Sequence, residues 1–361
     1  MLAGIPDPAV ETEPKEQGEP SGEANTADSG DTEEQQAKLA GTKDDADAAR
    51  VRLSEASEAA DADQDSFFPD LFHATVLIEE PEAHLHPQLK YGLIRYLKKV
   101  AKTRRDLQII VTTHSGELAS AVEPHDLIIM RSTNKREFIS RSLKDLPLPK
   151  AKRDWLFQQT RLHMDADRSG ALFADQVLIV EGVTEAILIR VIARVWANGD
   201  RQKSAFAEAL SVLPVGHAIG EWPIRVLGTP GFELVRKVAA LSDTDLRGDP
   251  IPQPSPPNWQ DQLSPETARF FWSKPTLEPS LVAGNEALVG EALKSIGEEQ
   301  SSVTPKVVDD VFVGRPKKKG LFALDLAARV ESHPEQFQVP VHIAEVFEWL
   351  YSNEDSVMSD G

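Results

Sequence analysis

Two adjacent carboxylates, Glu79 and Glu80, close the short apolar run "ATVLI" (Ala74 to Ile78), and His114 closes the next one, "LQIIVTTHS" (Leu107 to Ser115). An acid at a strand end can hold Mg²⁺, its neighbour can polarise a water, and a histidine on the following strand end can meet a γ-phosphate, which is the apparatus of nucleotide hydrolysis. A second set lies further on. Glu181-Gly182 follows "VLIV", Glu185 stands one helical turn later, and Asp243-x-Asp245 follows "AALS". Together these acids form an all-oxygen donor set suited to Mg²⁺ or Mn²⁺, the ions that activate water and neutralise charge in phosphoryl transfer. A third set is the cation run "RPKKKG" (Arg315 to Gly320), able to meet a phosphodiester backbone or a charged transition state.

Each set has a plainer reading. Glu79, Glu80, Glu82 and His86 could simply cap and solvate a helix N-terminus, "DTDLRGDP" has the composition of an acidic turn, and a lysine run is ordinarily a solvated surface. His84 and His86 at i, i+2 have no third ligand nearby and precede Pro87, which disfavours zinc.

The elements that would carry these groups read as α/β. "ATVLI", a helical spacing of Leu89, Leu93, Ile94, Leu97 and Val100, then "LQIIVTTHS" and "DLIIM" (Asp126 to Met130) imply a mainly parallel sheet covered on both faces. "LPLPKAKRD" (Leu146 to Asp154) reads as a linker. A second α/β unit starts at "DQVLIVEGVTEAILIRVIARV" (Asp175 to Val195) and continues through "LSVLPV" (Leu210 to Val215). "FELVRKVAALSDTD" (Phe232 to Asp245) reads as a helix tail and a strand. Acids at the C-terminal ends of parallel strands lie where open α/β sheets gather ligands. A Pro-rich insertion occupies about 246–266, "ARFFW" (Ala268 to Trp272) resumes structure, and "GLFALDLAARV" and "VHIAEVFEWLY" read as helices.

Of 361 residues, the first 65 hold 18 Asp and Glu against 5 Lys and Arg and no aromatic residue, within a chain of net charge −19. Such a segment cannot bury enough apolar surface to offset the entropy of ordering, so residues 1–66 are expected to be a disordered acidic tail. The acidic balance argues against a general DNA-coating protein but not against a local basic groove. There is no cysteine, which excludes disulfides, iron–sulfur clusters and thiolate zinc sites. No signal-type N-terminus and no apolar stretch of ~18 residues occurs, which implies a soluble, cytoplasmic protein without membrane association.

"LIEEPEAHLHPQ" followed by "IIVTTHS", then "VLIVEGVTEAIL" and "SDTD", resembles the OLD family of ATP-dependent endonucleases, which join an ABC-type ATPase to a Toprim nuclease domain. The resemblance runs from about Ala74 to Tyr351. It implies that Glu79 takes the Walker B position, as Glu where many such ATPases have Asp, Glu80 that of the catalytic carboxylate, and His114 that of the switch histidine. It implies that Glu181, Glu185, Asp243 and Asp245 hold metal, and that Lys319 in "KKKGLFALDLA" is the catalytic lysine, with Arg315, Lys317 and Lys318 left for DNA backbone contacts. It also implies homodimerisation and a role in phage defence or DNA processing.

The expected architecture is therefore α/β: the C-terminal part of an ABC-type ATPase sheet over 67–150, then a Toprim domain over 171–361. No G-x-x-x-x-G-K-[ST] loop occurs in these 361 residues, so independent ATP hydrolysis is not expected and ATP would matter only with a partner that supplies the loop. The expected activity is Mg²⁺- or Mn²⁺-dependent endonuclease or nickase action on DNA by Glu181, Asp243, Asp245 and Lys319. The alternative is a non-catalytic subunit of a truncated or split gene, assembled with a protein that carries the other half of the ATPase.

Overall fold

In the computed structural model of the protein, residues 73–83, 85–132, 138–248 and 250–352 are described, with 48, 51 and 52. Two units divide the chain, Met1–Phe72 and His73–Gly361. The acidic tail expected over 1–66 lies outside the described residues apart from those three, which are helical. Everything below concerns the second unit.

Strands β1 (Ala74–Glu79) and β2 (Leu107–Thr112) pair in parallel around helix α1 (Pro87–Thr103), with Glu79 opposite Thr112. They form a two-stranded sheet on which Val76, Leu77 and Ile110 are exposed, so its faces are not covered as the apolar runs predicted. Helix α2 (Gly116–Ser120) follows, its N-terminus capped by Ser115 Oγ, which accepts from Leu118 N. Strand β3 (Ile128–Ser132) leaves the parallel pattern and pairs antiparallel with β4 (Phe138–Ser142). "FISRS" is too polar to read as a strand alone, and the apolar density of "DLIIM" had suggested a parallel partner.

The expected linker contains the start of helix α3 (Lys150–His163), whose N-cap is Pro149. Its prolines signal a loop by composition, yet a proline's fixed φ also suits a helix start.

The second sheet has the order β6-β5-β7-β8, all parallel, from β5 (Gln176–Val180), β6 (Ser211–Pro214), β7 (Lys237–Asp243) and β8 (Ala268–Ser273). Alternate residues of the two central strands enter two different cores: Leu178, Val180, Ala239 and Leu241 face one, Val177, Ile179, Val238 and Ala240 the other. Coverage on both faces explains why these strands read as unbroken apolar runs. One layer contains α4 (Val183–Ala197), α5 (Arg201–Ala209), α7 (Leu277–Ser280), α8 (Glu286–Ser295), α9 (Pro305–Gly314), α10 (Lys319–Ser332) and α11 (Val341–Tyr351). The other contains α3 and α6 (Glu221–Gly228). The expected helix tail at Phe232 is instead a buried bend after α6, with Leu234 N donating to Leu227 O at 2.8 Å.

Helix α11 is fastened to the strands from below. Lys237, only 7% exposed, donates to Trp349 O at 2.6 Å, Ser352 O at 2.8 Å and Ser352 Oγ at 2.7 Å, while Gln176 Nε2 donates to Leu350 O at 2.7 Å. The strand order places β5 between β6 and β7, so the chain's direction across the sheet reverses at β5. The crevice beyond the C-terminal ends of β5 and β7 is the topological switch point, where such sheets bind ligands.

Candidate active site

Glu181 is the first residue beyond β5 and reaches across the switch point. Its Oε1 accepts hydrogen bonds from Ser242 Oγ and, at 3.1 Å, from Asp243 N, tying the ends of β5 and β7 together. Glu185 lies in the first turn of α4 and is 8% exposed. Gly182 makes room for it: a Cβ there would stand 2.9 Å from Glu185 Oε2, so the glycine in "EGVTE" serves a close approach. Burial pushes the Glu185 carboxyl above its ordinary range, and repulsion from Glu278 and Glu181 adds to it, against its own backbone N–H and Lys319.

Asp243 ends β7. Burial first, then the negative charges of Glu278, Glu181 and Glu185, push its carboxyl up to about 8, with Lys319 acting in the opposite sense. Glu278, in α7, is fully buried at 0% exposure; its Oε2 accepts from Thr276 Oγ1 at 3.0 Å and pairs with Lys319 Nζ at 2.9 Å. Its Oε1 is buried without a hydrogen-bond partner among the described residues. Lys319 opens α10. Burial works against its charge, but the carboxylates of Glu278, Asp243 and Glu185 outweigh it and hold the ammonium above its ordinary pKa. Four carboxylates and one buried ammonium thus meet at the switch point, a concentration of perturbed groups typical of functional sites.

The sequence reading missed Glu278. It follows the fourth parallel strand as Glu181 and Asp243 follow theirs, in "KPTLEPS", and that shared position was the available signal.

Asp245 lies outside the cluster. It takes φ +50°, in the left-handed region that aspartate tolerates better than most residues, and its side chain is 73% exposed, 3.9 Å from Arg247 Nη1. Arg247 is itself held by both oxygens of Asp309, at 2.7 and 2.9 Å. In the cation run, Arg315 and Lys318 both bind Glu298, and Lys318 also donates to Ile296 O at 2.8 Å. Lys317 is exposed.

No three His, Asp or Glu side chains among the described residues stand in ready-made metal coordination. The donor set nevertheless fits a hard divalent cation. All its ligands are carboxylate oxygens, Glu278 Oε1 lacks a partner, and the crowding at Asp243 is of the kind a cation relieves.

At the other sheet, Glu80 takes φ +41° and its Oε1 lies 3.2 Å from His114 Nε2, both side chains being well exposed. Glu79, opposite Thr112, is exposed too. Helix α1 has no acidic residue in its first turn and no side-chain cap, so these acids do not serve as its cap. Glu82 organises the loop that carries His114. Its Oε1 accepts from Thr113 Oγ1 and, at 3.2 Å, from His114 N, while Thr113 Oγ1 accepts from Ser115 N at 2.9 Å. His84 lies outside the described residues. None of the described helices is long and apolar enough to cross a membrane.

Residues 67–119 match the family model of an AAA ATPase domain, AAA_15. Endonuclease GajA from Bacillus cereus (strain HuB5-5) is 26% identical over 132 residues, 32% of this chain and 19% of that protein, so the chain spans about a fifth of the curated relative it matches. The C-terminal region of the Burkholderia pseudomallei OLD protein is similar at 19% identity, covering 51% of this chain and 99% of that one, with a TM-score of 0.32. The corresponding region of the Xanthomonas campestris pv. campestris OLD protein, phased with platinum, shows 20% identity, 51% and 94% coverage, and a TM-score of 0.32.

Proposed function

We propose that this chain, whose likenesses support a place in the OLD family of ATPase-nucleases, is a metal-dependent DNA endonuclease or nickase of the Toprim type. The observation that carries this reading is the buried Lys319 ammonium set among Glu181, Glu185, Asp243 and Glu278 at the switch point. Glu181, Glu185, Asp243 and Glu278 would hold one or two Mg²⁺ or Mn²⁺ ions, with Asp245 able to join only by turning inward. When bound, such ions supply an activated water and neutralise charge on the scissile phosphate.

The chain's own groups do the rest. Ser242 Oγ and Asp243 N fix the Glu181 carboxylate, so it needs no reorganisation at the moment of reaction. Asp243 keeps its proton near neutral pH and gives it up as the site loads, which couples metal affinity to pH. Lys319 stays protonated and delivers positive charge, or its proton, to the leaving oxygen. DNA is the proposed substrate, with Lys317 as the exposed cation for its backbone and Arg315 and Lys318 engaged by Glu298. A homodimer and a part in phage defence belong to the same proposal.

A second reading is favoured by the exposed Val76, Leu77 and Ile110 on β1 and β2. Here the chain assembles with a protein or segment that supplies a phosphate-binding loop, and Glu79, Glu80 and His114 then serve a shared ATP site.

Cleavage of supercoiled plasmid with Mg²⁺ or Mn²⁺, with and without ATP, tests both. The wild type should yield nicked or linear DNA, and Asp243→Ala and Glu181→Ala should not. Equal cleavage by all three proteins would sink the proposed site. Useful ATP affinity in the isolated chain would remove the need for a supplied loop.

A further inference from the structure

Beside the acidic cluster lies a cavity of about 390 Å³, lined by Phe270, Trp272, Lys274, Ser280, His342 and Glu345. That volume is in the range of ligand pockets. Strand β8 is the edge strand of the sheet, with β7 as its paired neighbour. Phe270 and Trp272 lie on one side of it, half-buried, ring centroids 6.2 Å apart and planes at 25°. Trp259, from the Pro-rich insertion, packs edge-on against Phe270 at 5.4 Å, so the insertion contributes to the rim. Lys274 is anchored to the same insertion, donating to Gln253 Oε1 at 2.8 Å.

His342 has no part in the cluster's chemistry. Its Nε2 lies 3.3 Å from Ser273 Oγ and 3.4 Å from Ser280 Oγ. Burial, with Lys274 adding to it, pushes the imidazole down to about 4, so it is a neutral hydrogen-bonding group. Flat aromatic faces flanked by Arg269 and Lys274, with neutral polar groups within, are what a nucleobase and its phosphates require. The position agrees. Ser273 is paired in register with Asp243, and Ser280 shares α7 with Glu278.

We propose that this cavity takes an unstacked nucleobase of the DNA strand being cut, beside the scissile phosphate. This rests on the nuclease reading above and adds a preference for unpaired or distorted DNA, because a base within an intact duplex cannot enter.

The test reads binding without cleavage. The full chain, in EDTA, is titrated against a fluorescein-labelled single strand of about 12 nucleotides and an abasic strand of the same length, followed by anisotropy. The wild type should bind the base-bearing strand about ten-fold more tightly, equivalent to about 1.4 kcal/mol. Trp272→Leu should erase that preference, and Trp272→Phe, which keeps a ring, should retain it. Matching melting temperatures show that both variants fold. Equal binding of the two strands by the wild type, or a preference that persists in Trp272→Leu, would overturn the proposal. Displacement of the strand by equimolar dAMP or ATP would also overturn it by assigning the cavity to a free nucleotide. If bases matter for binding while no metal supports cleavage, the nuclease reading fails and the base site stands; intact cleavage with equal binding has the opposite meaning.

Discussion

Asp243→Asn should stabilise the metal-free protein in mild alkali while removing its function. The carboxyl is pushed from an ordinary 3.8 up to about 8, by burial first and then by Glu278, Glu181 and Glu185. A folded-state value above the unfolded one means that the folded chain holds the extra proton between the two. Stability is therefore full at pH below the unfolded value and is lost as pH rises toward the folded one. At roughly 1.4 kcal/mol per unit, the loss by pH 8 is about 5 kcal/mol, of which about 4 kcal/mol falls between pH 5 and pH 8. Asparagine has nearly the same shape and never ionises, so the variant escapes this loss. Urea unfolding in EDTA at the two pH values should show the curves diverging by about that amount, the variant being the more stable at pH 8. Parallel pH dependence of the two proteins would refute a buried Asp243 crowded by like charge.

Three further outcomes are expected. Lys319→Met leaves the fully buried Glu278 without its cation and should cost about 3–5 kcal/mol in urea unfolding, with Glu278→Gln in the same chain restoring most of the stability but no cleavage. Mg²⁺ or Mn²⁺ should raise the melting temperature more at pH 8 than at pH 6, because Asp243 then has less proton to release, and EDTA should reverse the shift; a pH-independent shift would place the ions elsewhere. Glu82→Ala removes the acceptor that holds Thr113 Oγ1 and His114 N, and hydrogen exchange around His114 should speed up by about ten-fold, the equivalent of one charge-assisted hydrogen bond.

The parts of the site that were legible in sequence follow one rule. Buried parallel strands read as continuous apolar runs, and the acid that ends each run lies at the ligand-binding end of the sheet, as Glu181 and Asp243 do. Glu278 obeys the same rule but follows an edge strand, "ARFFWS", whose partly exposed aromatic residues blur the run, and it comes after a Pro-rich insertion. The D-x-D spacing carries no information about φ, so the outward turn of Asp245 at +50° could not be read. Three adjacent lysines look equivalent in sequence. They separate only in space, where Glu298 holds Lys318, solvent surrounds Lys317 and Glu278 holds Lys319. The antiparallel β3 and β4 were illegible for a related reason, since strand direction is set by the partner and not by the apolar run.

Lys237 donates to the final carbonyls of α11, and its neighbour across the sheet, Gln176, does the same. Strands made in the middle of the chain are thereby clasped by the last residues described. During synthesis the sheet must wait, with Lys237 already enclosed by apolar strands, until Ser352 has cleared the ribosomal exit tunnel. The domain accordingly completes its folding after translation of this segment and not during it. Any shorter fragment meant to fold alone has to run through Ser352.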